Sequence, residues 1–339
     1  MAMKKIGNQT LKLSNPPTIL SNYSIVGPKE GDGPLKDYFD EILEDDLWGQ
    51  ESWEKAESKM QEEAIKGAID NCGLSIQDMD YLISGDLLNQ IVASGYTARQ
   101  LAVPYFGLYG ACSTMTGSLV LGSMLVDGGF ADKVICATSS HFSTAERQFR
   151  FPLEYAAQRT FSAQWTVTGA GASILSSYGE GPYIRYVTPG KIVDPGITDA
   201  ANMGAAMAPA AMDTFINHFQ DTGYGPEDYD LIITGDLAKV GKSIVLDMMK
   251  EEGYDLTKVF TDCGVEIFDH KRQDTHAGGS GCACSAVVFN GYILKEMKKG
   301  RYNRVLFAAT GALHSPLITQ QGESIPSICH AITVDINNK

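Results

Sequence analysis

The chain carries a long internal duplication, which limits it to folds built from two similar halves. Asp80-Tyr-Leu-Ile-Ser-Gly-Asp-Leu87 returns as Asp230-Leu-Ile-Ile-Thr-Gly-Asp-Leu237. Further on, Gly129-Phe-Ala-Asp-Lys-Val-Ile-Cys-Ala-Thr138 is answered by Gly300-Arg-Tyr-Asn-Arg-Val-Leu-Phe-Ala-Ala309. The order of elements is the same in both copies. An amphipathic helix (Glu51 to Asn71; Ala208 to Asp221) leads to a short strand ending in Gly-Asp-Leu, then to a second helix and strand. A small-residue turn opens a third helix (Ser113 to Val126; Cys284 to Met297), and an apolar, β-branched strand closes the unit. Copies of roughly 150 residues are too long for a solenoid repeat. Strands alternating with helices at this spacing predict βαβ units, and so a layered α/β architecture with a mainly parallel sheet. The turn signal Gly179-Glu-Gly-Pro182 divides a first half, residues 1–178 with an extended lead-in, from a second half, residues 179–339.

In such sheets ligands sit off the carboxyl ends of the strands. Asp86, Cys112 and Ser139-Ser140-His141 fall at strand ends in the first half, and Asp236, Gly279-Ser280 and Gly311 to His314 in the second. The pocket is expected where these sets face each other. Cys112, in Gly110-Ala-Cys-Ser-Thr-Met115, stands between a strand and a helix N-terminus. The helix dipole and unpaired N–H groups there lower a thiol pKa and attract anions, so a stabilised thiolate is expected. The bland alternative is a small buried hydrophobe. For Asp86 and Asp236 it is a cap on the helix that follows the strand. His141 and His276 are equally readable as core or pocket residues.

Several classes of function are excluded by composition. A net charge of −14 disfavours nucleic acid and anionic lipid as direct partners. The polar start, Met1 to Leu13, reads as no signal peptide, and no apolar run is long enough for a transmembrane helix. Seven scattered cysteines suggest reduced thiols, and the C-x-C of Cys282 and Cys284 lacks zinc-site spacing, so no metal site and no cofactor are expected. Gly235-Asp-Leu-Ala-Lys-Val-Gly-Lys-Ser243 imitates a phosphate-binding loop, but it has one residue too many between its glycines. Arg147, Arg150, Arg159 and Lys191 are the only rim cations on offer for a pantetheine-bearing ligand.

Duplicated βαβ halves with a cysteine opening the third helix resemble the thiolase and ketoacyl-synthase superfamily. Val167-Thr-Gly-Ala-Gly-Ala-Ser-Ile-Leu175 is similar to that superfamily's Gly-Asp-Gly-Ala segment, with Thr168 in place of Asp. A narrower resemblance rests on longer strings. These are Val26-Gly-Pro-Lys-Glu30, Gly85-Asp-Leu-Leu-Asn-Gln90, Gly110-Ala-Cys-Ser113, Ala137-Thr-Ser-Ser-His141 and Ala145-Glu-Arg-Gln-Phe-Arg150. Met207-Ala-Pro-Ala-Ala211, Ala277-Gly-Gly-Ser-Gly-Cys-Ala-Cys-Ser-Ala286 and Glu323-Ser-Ile-Pro326 continue the series. All resemble the stage V sporulation AD family of thiolase-like proteins. The resemblance implies a subunit of a channel assembly, peripheral at the spore inner membrane through other membrane subunits. It also implies binding of dipicolinic acid, with calcium as a possible companion, and a homodimer.

Superfamily chemistry needs a thiolate nucleophile, an oxyanion hole and His or Asn groups from the second half. Cys112 fits the nucleophile, and His276 stands just before Gly-Gly-Ser-Gly, where the resemblance implies a catalytic histidine. The other histidine position falls near Thr261-Asp-Cys-Gly264, and the region of a thiolase's second cysteine reads Ala309-Thr-Gly-Ala-Leu-His314 without a thiol. The incomplete set points to a retained pocket without turnover, binding dipicolinate through Asp86, Cys112, Ser140, His141, His276, Gly279 and Ser280. The alternative is a divergent acyl-transferase using Cys112 and His276. Residues 146–161, without counterpart in the repeat, are the expected lid.

Overall fold

The computed structural model describes residues 4–149 and 159–337. The expected lid therefore lies mostly outside the described residues, as does Arg150. The first half supplies β1 (Leu11–Lys12), β2 (Thr18–Val26), β3 (Glu41–Ile42), β4 (Tyr81–Asp86), β5 (Tyr105–Gly107), β6 (Lys133–Ser140), β7 (Trp165–Thr166) and β8 (Gly169–Ser176). The second supplies β9 (Tyr183–Thr188), β10 (Leu231–Thr234), β11 (Phe260–Asp262), β12 (Gly279–Ser280), β13 (Arg304–Ala312) and β14 (Ser327–Asp335). Twelve of these form one sheet, whose main path runs β11-β10-β13-β14-β9-β2-β8-β6-β4-β5. The order is symmetric about its centre, with β5-β4-β6-β8-β2 from one copy of the repeat mirrored by β11-β10-β13-β14-β9 from the other.

The mainly parallel sheet expected from the βαβ spacing is corrected. Within the large sheet, parallel pairing is confined to β4 with β5 and β6, β10 with β11 and β13, and β2 with the short β3. The middle is antiparallel, through β6–β8, β8–β2, β2–β9, β9–β14 and β14–β13. Antiparallel neighbours need no crossover helix. Strands buried on both faces read as continuous apolar runs whatever their direction, and all eight residues of β8 are buried.

Helices form where the periodicity places them. The helix Trp53–Asp70 starts at Ser52, whose side chain accepts from the Lys55 N–H, and it buries Ala56, Met60, Ala64, Ile65 and Ile69. Its counterpart Met203–Thr222 is capped by Asn202 and stopped by Gly223 at φ +74°. These two pack on opposite outer faces. Between them lie the central helices, Thr114–Asp127 and the run Cys282–Lys298, which widens to a π-helix over Val288–Ile293. Met115, Leu119, Ala286, Val287 and Phe289 of these helices share one core with Ile83, Leu175, Ile233 and Phe307 of the strands.

Small residues let the layers approach closely. A Cβ on Gly171 of β8 would lie 2.7 Å from the carbonyl carbon and oxygen of Ala286. Gly171→Ala is expected to destabilise the fold by about 1–3 kcal/mol, because backbone rather than a movable side chain is in the way. Thermal unfolding reads this as a lowered midpoint; an unchanged midpoint would contradict the packing described.

Candidate functional site

The two repeated Gly-Asp-Leu turns arrive at the same place in the fold but are used differently. In the first half Asp86 accepts from the N–H of Ser94 (2.9 Å) and of Leu88 (3.2 Å). It thereby satisfies the start of the Val92–Leu101 helix, the capping role that was the bland alternative. In the second half Asp262 takes over that task, accepting from the N–H of Leu237 (2.9 Å) and Ala238 (2.8 Å). Asp236 is left available, and the capping alternative read for it does not hold. Its Oδ2 accepts from the Gly281 N–H at 3.1 Å and the Ser280 hydroxyl at 3.3 Å, and its Oδ1 from Thr310 Oγ1 at 3.1 Å. Its remaining partner is the thiol of Cys112.

Cys112 sits in a 3-10 turn, Ala111–Ser113, that runs into the helix Thr114–Asp127. Ala111 holds φ +47°, an uncommon conformation for a residue with a Cβ. The turn is closed by the Ser113 N–H on the Gly110 carbonyl (3.1 Å) and by Thr114 Oγ1 on the Ala111 carbonyl (2.7 Å). Gly311 of β13 presses on it so closely that a Cβ there would lie 2.1 Å from the Gly110 carbonyl oxygen. Cys112 also joins a small cluster apart from the main cores, with Leu87, Ala145 and Cys282, and with Phe149 packed against it.

The stabilised thiolate is not found. Burial pushes the Cys112 thiol well above its ordinary value, and the carboxylate of Asp236 pushes it further. The Gly281 N–H opposes the shift but does not reverse it. Burial also raises Asp236 to about 7, against the hydrogen bond from Cys112. The helix-terminus advantage counts for less than the loss of water and the carboxylate across the contact. Thiol and carboxylate thus form a protonated pair in which the S–H donates.

A second acidic network lies behind Asp86. Glu57, fully buried, accepts from Ser139 Oγ (3.1 Å) and Thr144 Oγ1 (3.2 Å), and burial lifts it to about 8, with Asp86 adding to the shift. Asp86 itself is raised by burial to about 6. Gln61 ties the group together by donating to the Gly85 carbonyl (3.1 Å), Ser94 Oγ (3.0 Å) and Ser139 Oγ (3.2 Å).

Of the residues singled out in the sequence, the structure gathers Cys112 and Ser280 around Asp236. Gly279 lies beside them on β12, paired with Trp165 of β7. Ser140 donates to the Val167 carbonyl (2.7 Å) and accepts from the Ala283 N–H (3.2 Å), holding the central helix in place. His141 is buried between the Asp46 carbonyl (2.8 Å) and the Ser143 N–H (3.1 Å). His276 is partly exposed, with its ring bound to the Thr160 carbonyl (2.6 Å) and Asp274 (3.0 Å), not to Cys112. Three of the rim cations are paired: Arg147 with Glu54, Arg159 with Asp274 (2.5 Å) and Lys191 with Asp213 (2.8 Å). Asp236, which the Gly-Asp-Leu repeat places at a strand end facing the expected pocket, stands outside the seven residues expected to bind the ligand, yet it is the centre of this group. A surface recess of about 330 Å³ near Asp228, Asp230 and Asn303 lies elsewhere, and its Arg304 is already bound to Asp335.

Two mirrored α/β units around buried central helices, with a cysteine at the mouth of one of them, define a thiolase-like protein. The solved structures agree. The fold is similar to 3-oxoacyl-[acyl-carrier-protein] synthase III from Aquifex aeolicus VF5, with a TM-score of 0.57 at 14% identity, over 94% of this chain and 99% of that one. It is also similar to a variant of Xanthomonas campestris OleA, with a TM-score of 0.62 at 15% identity, over 94% and 98%. The Stage V sporulation protein AD family matches residues 7–335. Stage V sporulation protein AD of Bacillus subtilis (strain 168) is 47% identical over 333 residues, 98% of each chain. The chain belongs to the Stage V sporulation protein AD family, and so is a sporulation protein on a thiolase-like fold.

The buried carboxylates set a sign for stability against pH. An acid whose folded pKa lies above its unfolded value keeps its proton longer in the folded state, so its cost appears as pH rises between the two values. For Glu57 that window runs from its ordinary value of 4.5 to about 8. Glu57→Gln, which mimics the protonated form, is expected to raise the unfolding midpoint relative to wild type at pH 8. The gain should vanish near pH 4.5. An equal effect at both pH values would contradict the assignment.

Proposed function

We propose that this chain is the dipicolinate-binding subunit of a channel assembly at the spore inner membrane, acting in uptake during sporulation and release in germination. The pocket around Cys112 and Asp236 is the binding site, and it does not turn over substrate. The observation that carries the second point is the protonated thiol held by a buried carboxylate, with no histidine among the described residues bonded to either. A nucleophile needs the opposite arrangement, a base or cation that draws the proton away. Among the described residues no helix is long and apolar enough to cross a membrane, so membrane placement falls to partner subunits. A homodimer is part of the same reading.

The ligand is a flat ring with two carboxylates, and the pocket wall is acidic. Asp86 is less of an obstacle than its charge suggests, because its oxygens already accept backbone N–H groups. Asp236 is the group a bound carboxylate meets. Bringing an anion beside it favours its protonated form, so binding takes up a proton. With Asp236 near 7 in the free protein, affinity is highest below pH 7 and falls as pH rises above it. The limit is about tenfold per pH unit for one proton. Calorimetric titration with dipicolinate at pH 7.5, in two buffers of different protonation enthalpy, should show that uptake. Cys112→Ala should weaken binding, and so should Asp86→Ala, through loss of the bonds that hold the start of the Val92–Leu101 helix. Absence of saturable binding by the folded protein would overturn the reading.

The fold itself favours one rival, since its structural neighbours include a 3-oxoacyl synthase. A divergent acyl-transferase would load Cys112. Incubation with acyl-coenzyme A followed by intact-mass measurement is expected to show no adduct on Cys112, and a rapid stoichiometric acyl-enzyme would establish the rival.

A further inference from the structure

Five of the six histidines have a ring nitrogen bonded within the protein. His141, His270 and His276 meet backbone carbonyls, His218 meets Thr188 and Tyr229, and His330 accepts from the Gly190 N–H. His314 differs. It is 7% exposed, and its Nδ1 is sealed from solvent without a hydrogen-bond partner among the described residues. A buried polar atom left unpaired is costly, and native proteins seldom leave one without a reason.

The location supplies a reason. His314 follows β13, the strand that sends Thr310 to Asp236 and presses Gly311 against the turn of Cys112. The Leu313 N–H on the Pro326 carbonyl (2.8 Å) fixes the backbone beside it. Its ring lies against Phe149, with centroids 5.5 Å apart, and Phe149 packs on the cluster of Leu87, Cys112, Ala145 and Cys282. Phe149 therefore links the unsatisfied imidazole nitrogen of His314 to the apolar cluster that holds Cys112. Burial lowers the pKa of His314, so the ring is neutral, and Nδ1 offers one directional bond rather than a charge.

We infer that His314 is a ligand-binding residue of the Cys112 pocket, its Nδ1 pairing with one carboxyl group of a planar aromatic acid whose ring lies against Phe149. This rests on the dipicolinate reading above and adds the residue that recognises the second carboxyl group. Asn places its amide nitrogen near the position of Nδ1, whereas Phe keeps the ring shape and removes the bond.

The test is titration of the full chain with dipicolinate and, separately, with picolinate, which lacks one carboxyl group. His314→Phe is expected to weaken dipicolinate binding at least tenfold and to bring the two affinities together. His314→Asn should restore most of the preference. As a check independent of folding in the variants, the ¹⁵N resonance of His314 Nδ1 in the wild-type protein should shift on adding dipicolinate. If wild type binds dipicolinate but the resonance stays still and His314→Phe keeps the preference, the assignment of His314 falls while the binding function stands. If wild type binds neither acid, both fall.

Discussion

A single buried carboxylate joins the parts of this molecule that the duplication keeps separate in sequence. Asp236 receives bonds from Gly281 at the start of a central helix, from Ser280 on β12 and from Thr310 on β13. It meets Cys112, which arrives from the other half of the chain. Each of these donors loses water on folding, and each is satisfied by the same two oxygens. In a site of low dielectric such bonds are stronger than in water, and leaving one unmade is correspondingly costly. The turn bearing Cys112 cannot drift, because Gly311 lies against it with no room for a Cβ.

The same constraint decides the chemistry. A thiol at a helix N-terminus is drawn toward ionisation, but a thiol buried against a carboxylate is held back from it. Here the second influence is the larger, and the pocket becomes a place of shared protons. Asp86, Glu57, Asp236 and Asp262 are all raised by burial, to values from about 6 to about 8. Carboxyl groups buried in this way change charge as pH moves through neutrality.

Divergence between the two repeats is visible in one pair of residues. Asp86 and Asp236 occupy equivalent turns, and both were readable as helix caps. Asp86 is one. Asp236 is released because Asp262, at the end of β11, accepts from the N–H groups that open the next helix. Nothing in the local sequence of Gly235-Asp-Leu237 reveals this, since the substitute cap comes from a strand 26 residues further on. His276 and His314 make the same point. The glycine-rich run after His276 drew attention to it, yet its ring is bound at the surface, and the less conspicuous His314 is the one closed in beside Phe149.

The sequence by itself determined the duplication, the α/β class, the main helices to within a few residues, and the prominence of Cys112. These follow from local periodicity, turn chemistry and repetition, which are properties of neighbouring residues. Only the tertiary structure decided the antiparallel middle of the sheet, the pairing of Cys112 with Asp236, and which histidine keeps a buried, unpaired ring nitrogen. Those depend on which buried groups find partners across the interior. Strand direction, desolvation and hydrogen-bond satisfaction are set by elements that meet in space from distant parts of the chain.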